Sequence, residues 1–263
     1  VSLVSDAFAR AKAENRAALV GYLPAGLAPV SAFAAMVRGG CDVIEIGLPY
    51  SDPLMDGPVI QAAVQRALEA GTHTRDVLAC VESVAALGVP ALVMTYWNPV
   101  ERYGVAAFAR DLAAAGGAGL ITPDLIPEEA GDWLAAADAH DLDRVFLVAP
   151  SSTDERLRIV GSTSRGFVYA ASTMGVTGTR DEVSSVAPGL VARMRNVTSL
   201  PIAVGLGVSN GGQAAEVASY ADGVIVGSAF VRAAMDADTP AADAAVEALA
   251  ADLAEGCRVR SAS

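Results

Sequence analysis

Glu45 interrupts the otherwise apolar stretch DVIEIGL that begins at Asp42. A carboxylate buried without a partner costs several kcal/mol, so its presence in such a run implies a partner or a task. Strand alternation places Val43, Glu45 and Gly47 on one face and Ile44 and Ile46 on the other. Partial desolvation on an inward face raises a carboxyl pKa toward neutrality, where the group can both give and take protons. The structural alternative is an ion pair with a buried arginine, and Arg144, at the start of a predicted strand, is the only clear candidate. The segment that follows, PYSDPLMDGPVIQAA, carries Asp52 and Asp56. Asp-Pro and Asp-Gly are ordinary turn pairs, and each aspartate alone reads as a turn or cap residue. Their place on a long loop directly after Glu45 allows a second carboxylate over the same pocket.

A different signal lies in the second half: MGVTG at Met174–Gly178, VGLGVSNGG at Val204–Gly212 and VGS at Val226–Ser228. Glycines following successive strands let backbone N–H groups approach an anion closely, and the last two precede helix starts whose dipoles favour phosphate. Glycine also ends strands and caps helices, but three such turns in consecutive units favour a phosphate cradle. Lys12 is the sole lysine and lies in a predicted N-terminal helix, which excludes a lysine Schiff base at a strand end. His73 and His140 are the only histidines, and both flank helices in polar context, so a His-ligated metal is not expected. No nucleophile elbow or Walker loop occurs. What remains is carboxylate acid–base chemistry on a phosphorylated small molecule. Tyr169 alternates inward with Phe167 and either adds a hydroxyl to the pocket or serves as a core tyrosine.

The elements that must hold these groups repeat along the chain. Eight β-branched runs begin at Ala17, Asp42, Pro90, Ala118, Asp143, Gly166, Pro201 and Asp222, each followed by an Ala-rich helical stretch. The spacing of roughly 30 residues is that of a βαβ unit. Near-continuous apolar strands separated by helices predict a parallel sheet covered on both faces, and eight units predict an α/β fold of the closed (β/α)8, or TIM-barrel, type. An open doubly wound sheet is the alternative. An extra N-terminal helix and long loops after strands two and six complete the expectation. No linker divides residues 1–263, which read as one domain. In such barrels chemistry sits on the loops leaving the C-terminal strand ends, where Glu45 and the glycine turns fall.

Composition narrows the partners. The 263 residues are 53% hydrophobic, enough for a large core, and a net charge of -12 disfavours nucleic acid and anionic membranes. Cys41, Cys80 and Cys257 show no disulfide or zinc spacing, which fits a reducing cytoplasm. The uncharged stretches Ala17–Val37 and Ser83–Val100 are broken by Gly and Pro and do not read as membrane spans. No secretory signal is visible at the N-terminus; Phe8, Ala11 and Lys12 suggest an amphipathic helix there.

IEIGLPYSDPLMDGPVIQAA resembles the long signature of the tryptophan synthase α subunit family, and MTYWNPVERYG, LITPDLIPEEA, YAASTMGVTGTR, VGLGVS and GVIVGSAFV follow in that family's order and spacing. The resemblance implies retro-aldol cleavage of indole-3-glycerol phosphate to indole and glyceraldehyde 3-phosphate. By motif, Glu45 would be the acid–base and Asp56 would stabilise the ring N–H. Tyr169 would lie beside the substrate; Gly178, Gly205, Gly207, Gly227 and Ser228 would surround the phosphate. Tyr22, Met94, Tyr96, Ile121, Leu147 and Thr177 would line or close the indole pocket. The resemblance further implies a β-subunit partner holding pyridoxal phosphate in an αββα heterotetramer, with no cofactor in the α chain. The loops around Asp56 and Thr177, and Asp124, would face that partner. The sequence departs from the family at Gly26-Leu27-Ala28, at Leu206, where an aromatic is common, and at Thr173-Met174. A phosphosugar isomerase or epimerase barrel and a non-catalytic activating subunit are the alternatives.

Overall fold

The structure, a computed structural model, describes residues 2–171, 186–205, 207–235 and 239–258. Among the described residues nine strands form one sheet: β1 (Ala18–Pro24), β2 (Val43–Gly47), β3 (Ala91–Met94), β4 (Gly119–Ile121), β5 (Asp143–Val145), β6 (Leu147–Val148), β7 (Val168–Ala171), β8 (Ile202–Gly205) and β9 (Gly223–Val226). All pairings are parallel, and the order is β5-β4-β3-β2-β1-β9-β8-β7-β6. The two ends of that order, β5 and β6, are consecutive pieces of one extended segment separated only by Phe146. The predicted fifth strand is therefore a single stave broken at Phe146, and the sheet closes into the expected eight-stave barrel rather than an open sheet.

Strand alternation divides the apolar residues into two clusters. Ala18 and Val20 of β1, Val43 of β2, Leu92 of β3, Val145 of β5, Ala203 of β8 and Ile225 of β9 fill the barrel interior. Their neighbours Leu19, Ile44, Val93, Val204 and Val224 face the helices. Helix α1 (Leu3–Ala13) buries Val4, Ala7, Phe8 and Ala11, an i, i+3, i+4, i+7 stripe, and Ser2 caps it by accepting from the Ser5 N–H. That stripe joins the interior cluster, with the Phe8 ring 5.2 Å from Phe167 and close to Gly223, so α1 plugs the N-terminal end of the barrel.

Three of the predicted strands start with aspartate, and these residues brace the plugged end. The Asp42 carboxylate accepts from the Leu19 N–H at 2.9 Å and takes two Arg16 hydrogen bonds at 2.6 and 2.8 Å. Asp222 accepts from the Ile202 N–H at 3.0 Å and pairs with Arg195. Asp143, fully buried, lies 3.2 Å from the Arg165 guanidinium. Each ties one strand start to its neighbour, a structural use of charge at the face away from the site. Arg144 is committed at the same end, to Asp138 and the Thr163 carbonyl, and does not serve Glu45.

Two helices, α3 (Pro58–Glu69) and α4 (Thr74–Ala85), follow β2, and α5 (Trp97–Tyr103) and α6 (Val105–Ala114) follow β3. The long loop predicted after strand two is present as residues 48–57. The one predicted after strand six lies outside the described residues, as do Thr173, Met174, Thr177, Gly178 and Leu206. Among the described residues, no helix is long and apolar enough to cross a membrane, and no three His, Cys, Asp or Glu side chains are grouped to hold a metal ion.

Candidate active site

A cavity opens at the C-terminal end of the barrel, above the interior cluster. Glu45 belongs to its wall, one residue pair above Val43 on the same inward face. It is 1% exposed, and its Oε1 has no hydrogen-bond partner among the described residues. Burial alone pushes its pKa up to about 8. The ion-pair alternative for Glu45 finds no support in these contacts.

Asp56 reaches the same cavity from the loop after β2. Burial raises its pKa to about 6, against the lowering effect of a hydrogen bond with the Tyr96 side chain. The Tyr96 hydroxyl also accepts from the Leu54 and Met55 N–H groups at 3.1 and 2.9 Å, so one phenol organises the whole approach to Asp56. Below it, Pro58 at the first turn of α3 sets the helix start, and the Gln61 side chain donates to the Asp56 carbonyl at 2.7 Å. The DGPVIQ portion of the motif thus builds a rigid foot for the carboxylate. Asp52, by contrast, is exposed, accepts from the Ser51 hydroxyl and takes no part in the cavity.

Tyr22 and Tyr169 flank the carboxylates from either side of the barrel. A Cβ on Gly47 would fall 2.4 Å from the Tyr22 hydroxyl, and one on Gly205 would fall 2.5 Å from the Tyr169 hydroxyl. Each phenol is therefore seated on a neighbouring strand's glycine. Burial, and then the nearby carboxylates, raise both phenol pKa values, so both hydroxyls stay protonated and able to donate. Tyr169 is thus a cavity residue rather than a core tyrosine.

The glycine turns are divided in role. Gly205, Gly207, Gly227 and Ser228 all line the cavity. Gly207 has φ +70, the left-handed region that favours glycine. A Cβ on Gly227 would meet nothing closer than 3.5 Å among the described residues, so none of them demands a glycine there. Helix α11 (Ser228–Met235) begins at the cavity. Helix α10 (Gly211–Ala218) does not offer its start in the way the sequence suggested: Asn210 caps it at 3.0 Å and the Asp252 carboxylate takes the Gly211 N–H at 2.6 Å.

Met94, Tyr96 and Leu147 also line the cavity. Ile121 does not; its register with Met94 and Val145 packs it, fully buried, into the interior cluster beneath. Sequence reasoning missed Leu48, Tyr50, Met55, Ile60, Val64, Thr95, Pro123, Ala171 and Ile225 as wall residues. Ile60 and Val64 carry a signal, since they follow Asp56 at helical spacing on the apolar face of α3. Asp124 accepts from the Trp97 N–H at 2.9 Å and caps α5, which gives it a local role in placing the Tyr96 turn.

Fold and site together define a class: a (β/α)8 barrel with two carboxyls of raised pKa on one side of its mouth and glycine turns on the other. Comparison with known proteins narrows the class. Residues 8–258 match the family model described as tryptophan synthase alpha chain. The chain is 65% identical over 258 residues to the tryptophan synthase alpha chain of Thermobifida fusca, covering 95% of this chain and 96% of that one. It is 61% identical over 261 residues to that of Nocardia farcinica, covering 98% and 96%. Among solved structures, tryptophan synthase of Mycobacterium tuberculosis superimposes with a TM-score of 0.93 at 57% identity, covering 98% of this chain and 99% of that one. The alpha subunit from Legionella pneumophila does so with a TM-score of 0.86 at 32% identity, covering 98% of each. The chain belongs to the tryptophan synthase alpha chain family.

Proposed function

We propose that this chain is the lyase subunit that cleaves indole-3-glycerol phosphate to indole and glyceraldehyde 3-phosphate in L-tryptophan biosynthesis. The observation that carries the reading is Glu45, buried in the cavity wall with its Oε1 unpaired among the described residues and a pKa pushed up to about 8 by burial. A carboxyl with that pKa is mostly protonated at neutral pH and enters the reaction as an acid. Its proton goes to the ring carbon that bears the side chain, and positive charge develops on the ring nitrogen. Asp56, mostly ionised above about pH 6, stabilises that charged N–H. Glu45, now a carboxylate, takes the proton of the adjacent side-chain hydroxyl as the carbon–carbon bond breaks. The bonding electrons return to the ring and the aldehyde forms, with the enzyme's proton inventory restored. The cationic indolenine is the electron sink that a lysine imine would otherwise provide, in keeping with a chain whose one lysine lies in α1.

Tyr22, Met94, Tyr96, Leu147 and Tyr169 would hold the ring, while Gly205, Gly207, Gly227 and Ser228 would hold the phosphate through backbone dipoles. Gly178 and Thr177 would complete the cradle and the closing loop. The partner is a β subunit carrying pyridoxal phosphate, in an αββα assembly, and the α chain needs no cofactor of its own. Leu54, 76% exposed beside Asp56, and Ile126 near Asp124 supply apolar surface suited to that partner. The setting is cytoplasmic, with neither nucleic acid nor membrane involved. The test is indole release from indole-3-glycerol phosphate by the purified chain, alone and with a β subunit. Indole in at least the second case is expected, and none in either would overturn the reading.

A further inference from the structure

The Tyr22 side chain bridges the two halves of the cavity. It lies on the inward face of β1 with Ala18 and Val20, pairs in register with Glu45 and lines the cavity. Two glycines fix its course. A Cβ on Gly227, in the turn after β9, would fall 3.5 Å from the Tyr22 Cδ1 and 3.8 Å from its Cβ, whereas one on Gly47, at the inward-facing end of β2, would collide with its hydroxyl. The ring therefore starts beside a glycine turn and ends over β2, one inward position above Glu45. Burial, and then the Asp56 and Glu45 carboxylates near it, raise the phenol pKa, so the hydroxyl keeps its proton and can donate. It makes no hydrogen bond among the described residues and is not one of the sealed, unpaired atoms of the interior, so it opens onto the cavity. Tyr96, by contrast, is committed to the Asp56 loop. The Tyr169 hydroxyl stands over Gly205 of β8, three places from β2 in the pairing order.

We propose that Tyr22 is a substrate-contacting residue: its hydroxyl hydrogen-bonds the hydroxyl on the middle carbon of the ligand's glycerol chain. This rests on the reading that the substrate is indole-3-glycerol phosphate. In that molecule the hydroxyl next to the ring gives its proton to Glu45 and the phosphate is held at the glycine turns, so the middle hydroxyl is the one polar group of the chain left without a partner. The chain runs from Glu45 to those turns, and Tyr22 follows the same course along the wall. A site that pairs with a ligand hydroxyl discriminates against the analogue lacking it, because the protein group is then left unpaired.

Tyr22→Phe keeps the ring and deletes the hydroxyl. Two substrates report on it: indole-3-glycerol phosphate, and the deoxy analogue that lacks only the middle hydroxyl and can still release indole. For the parent, kcat/KM should fall roughly 3- to 10-fold in Tyr22→Phe, the range of one neutral hydrogen bond, and for the deoxy analogue it should stay within about twofold of wild type. The preference of wild type for the parent should therefore shrink by the same factor in the variant. Indole-3-propanol phosphate has neither chain hydroxyl, and its Kd, read by calorimetry, should agree between the two proteins within about twofold. A loss of equal size on both substrates, no loss on the parent, or weaker binding of the propanol phosphate would each overturn the proposal, since the hydroxyl would then serve the fold, a carboxyl or nothing. Failure of wild type to release indole from the parent would instead overturn the substrate reading, and this inference with it.

Discussion

The Tyr96 phenol and the Asp56 carboxyl are hydrogen-bonded to each other, and the same phenol accepts the backbone N–H groups of the two residues before Asp56, at 3.1 Å for Leu54 and 2.9 Å for Met55. A residue on the turn after β3 therefore sets the position and the acidity of a carboxylate on the loop after β2. The link holds that carboxyl in place in the wall of a largely apolar cavity.

Tyr96→Phe removes both the loop anchor and the interaction that lowers the Asp56 pKa. The turnover ratio kcat/KM should fall about 10- to 100-fold. The acidic limb of its pH profile should move upward from the wild-type value, since Asp56 loses the hydrogen bond that opposes burial. An unmoved limb would show that the phenol only packs against the loop.

The free-enzyme pH profile of the wild type follows from the two carboxyls. Asp56 must be ionised and Glu45 protonated, so kcat/KM should rise through about 6 and fall through about 8. A plateau extending well past pH 8 (about two units) would remove Glu45 as the entering acid.

Glu45→Gln keeps the size of the side chain and deletes its proton. Turnover should drop at least about 10²-fold with modest loss of binding. Stability offers a second readout. The Glu45 carboxyl titrates at 4.5 in the unfolded reference and at about 8 when folded. The fold thus favours the neutral form; its contribution is complete below about 4.5 and is lost as pH rises through about 8. Denaturant unfolding at about pH 5 and about pH 9 should show Glu45→Gln gaining on wild type at the higher pH.

The glycines of the site should separate into two kinds. Gly205→Ala drives a Cβ to 2.5 Å from the Tyr169 hydroxyl, so it should impair activity even before ligand binds, and Tyr169→Phe in the same chain should relieve part of the defect. A Cβ at Gly227 comes no closer than 3.5 Å to any described residue, so the unfolding temperature of Gly227→Ala should match wild type while the KM for a phosphorylated substrate rises. Calorimetric unfolding with steady-state kinetics on the three variants decides this.

Asp42→Ala should act on the fold alone. It removes the two Arg16 bonds and the acceptor for the Leu19 N–H at the plugged end of the barrel. With both side chains partly exposed, a loss of about 2–3 kcal/mol is expected in denaturant unfolding, and kcat well below the transition should be unchanged.

Much of this was written in local pattern. The alternation VIEIG decided that Glu45 shares a face with Val43, and eight apolar strands separated by helices pointed to a parallel sheet covered on both faces, closed or doubly wound. The first turn of α3, with Pro58 and Gln61, made the Asp56 foot legible because helix-start chemistry is local. What the chain order could not show were distances between residues far apart in sequence. The break of the fifth stave at Phe146, the capping of α10 by Asp252, the withdrawal of Ile121 below the cavity and the seating of Tyr169 on Gly205 all depend on register and on helices packed from elsewhere. The rise in the Glu45 pKa is of the same kind. Its direction follows from an acidic residue in a greasy strand, but its size comes from how completely the other staves exclude water and cations from around it, and only the assembled barrel determines that.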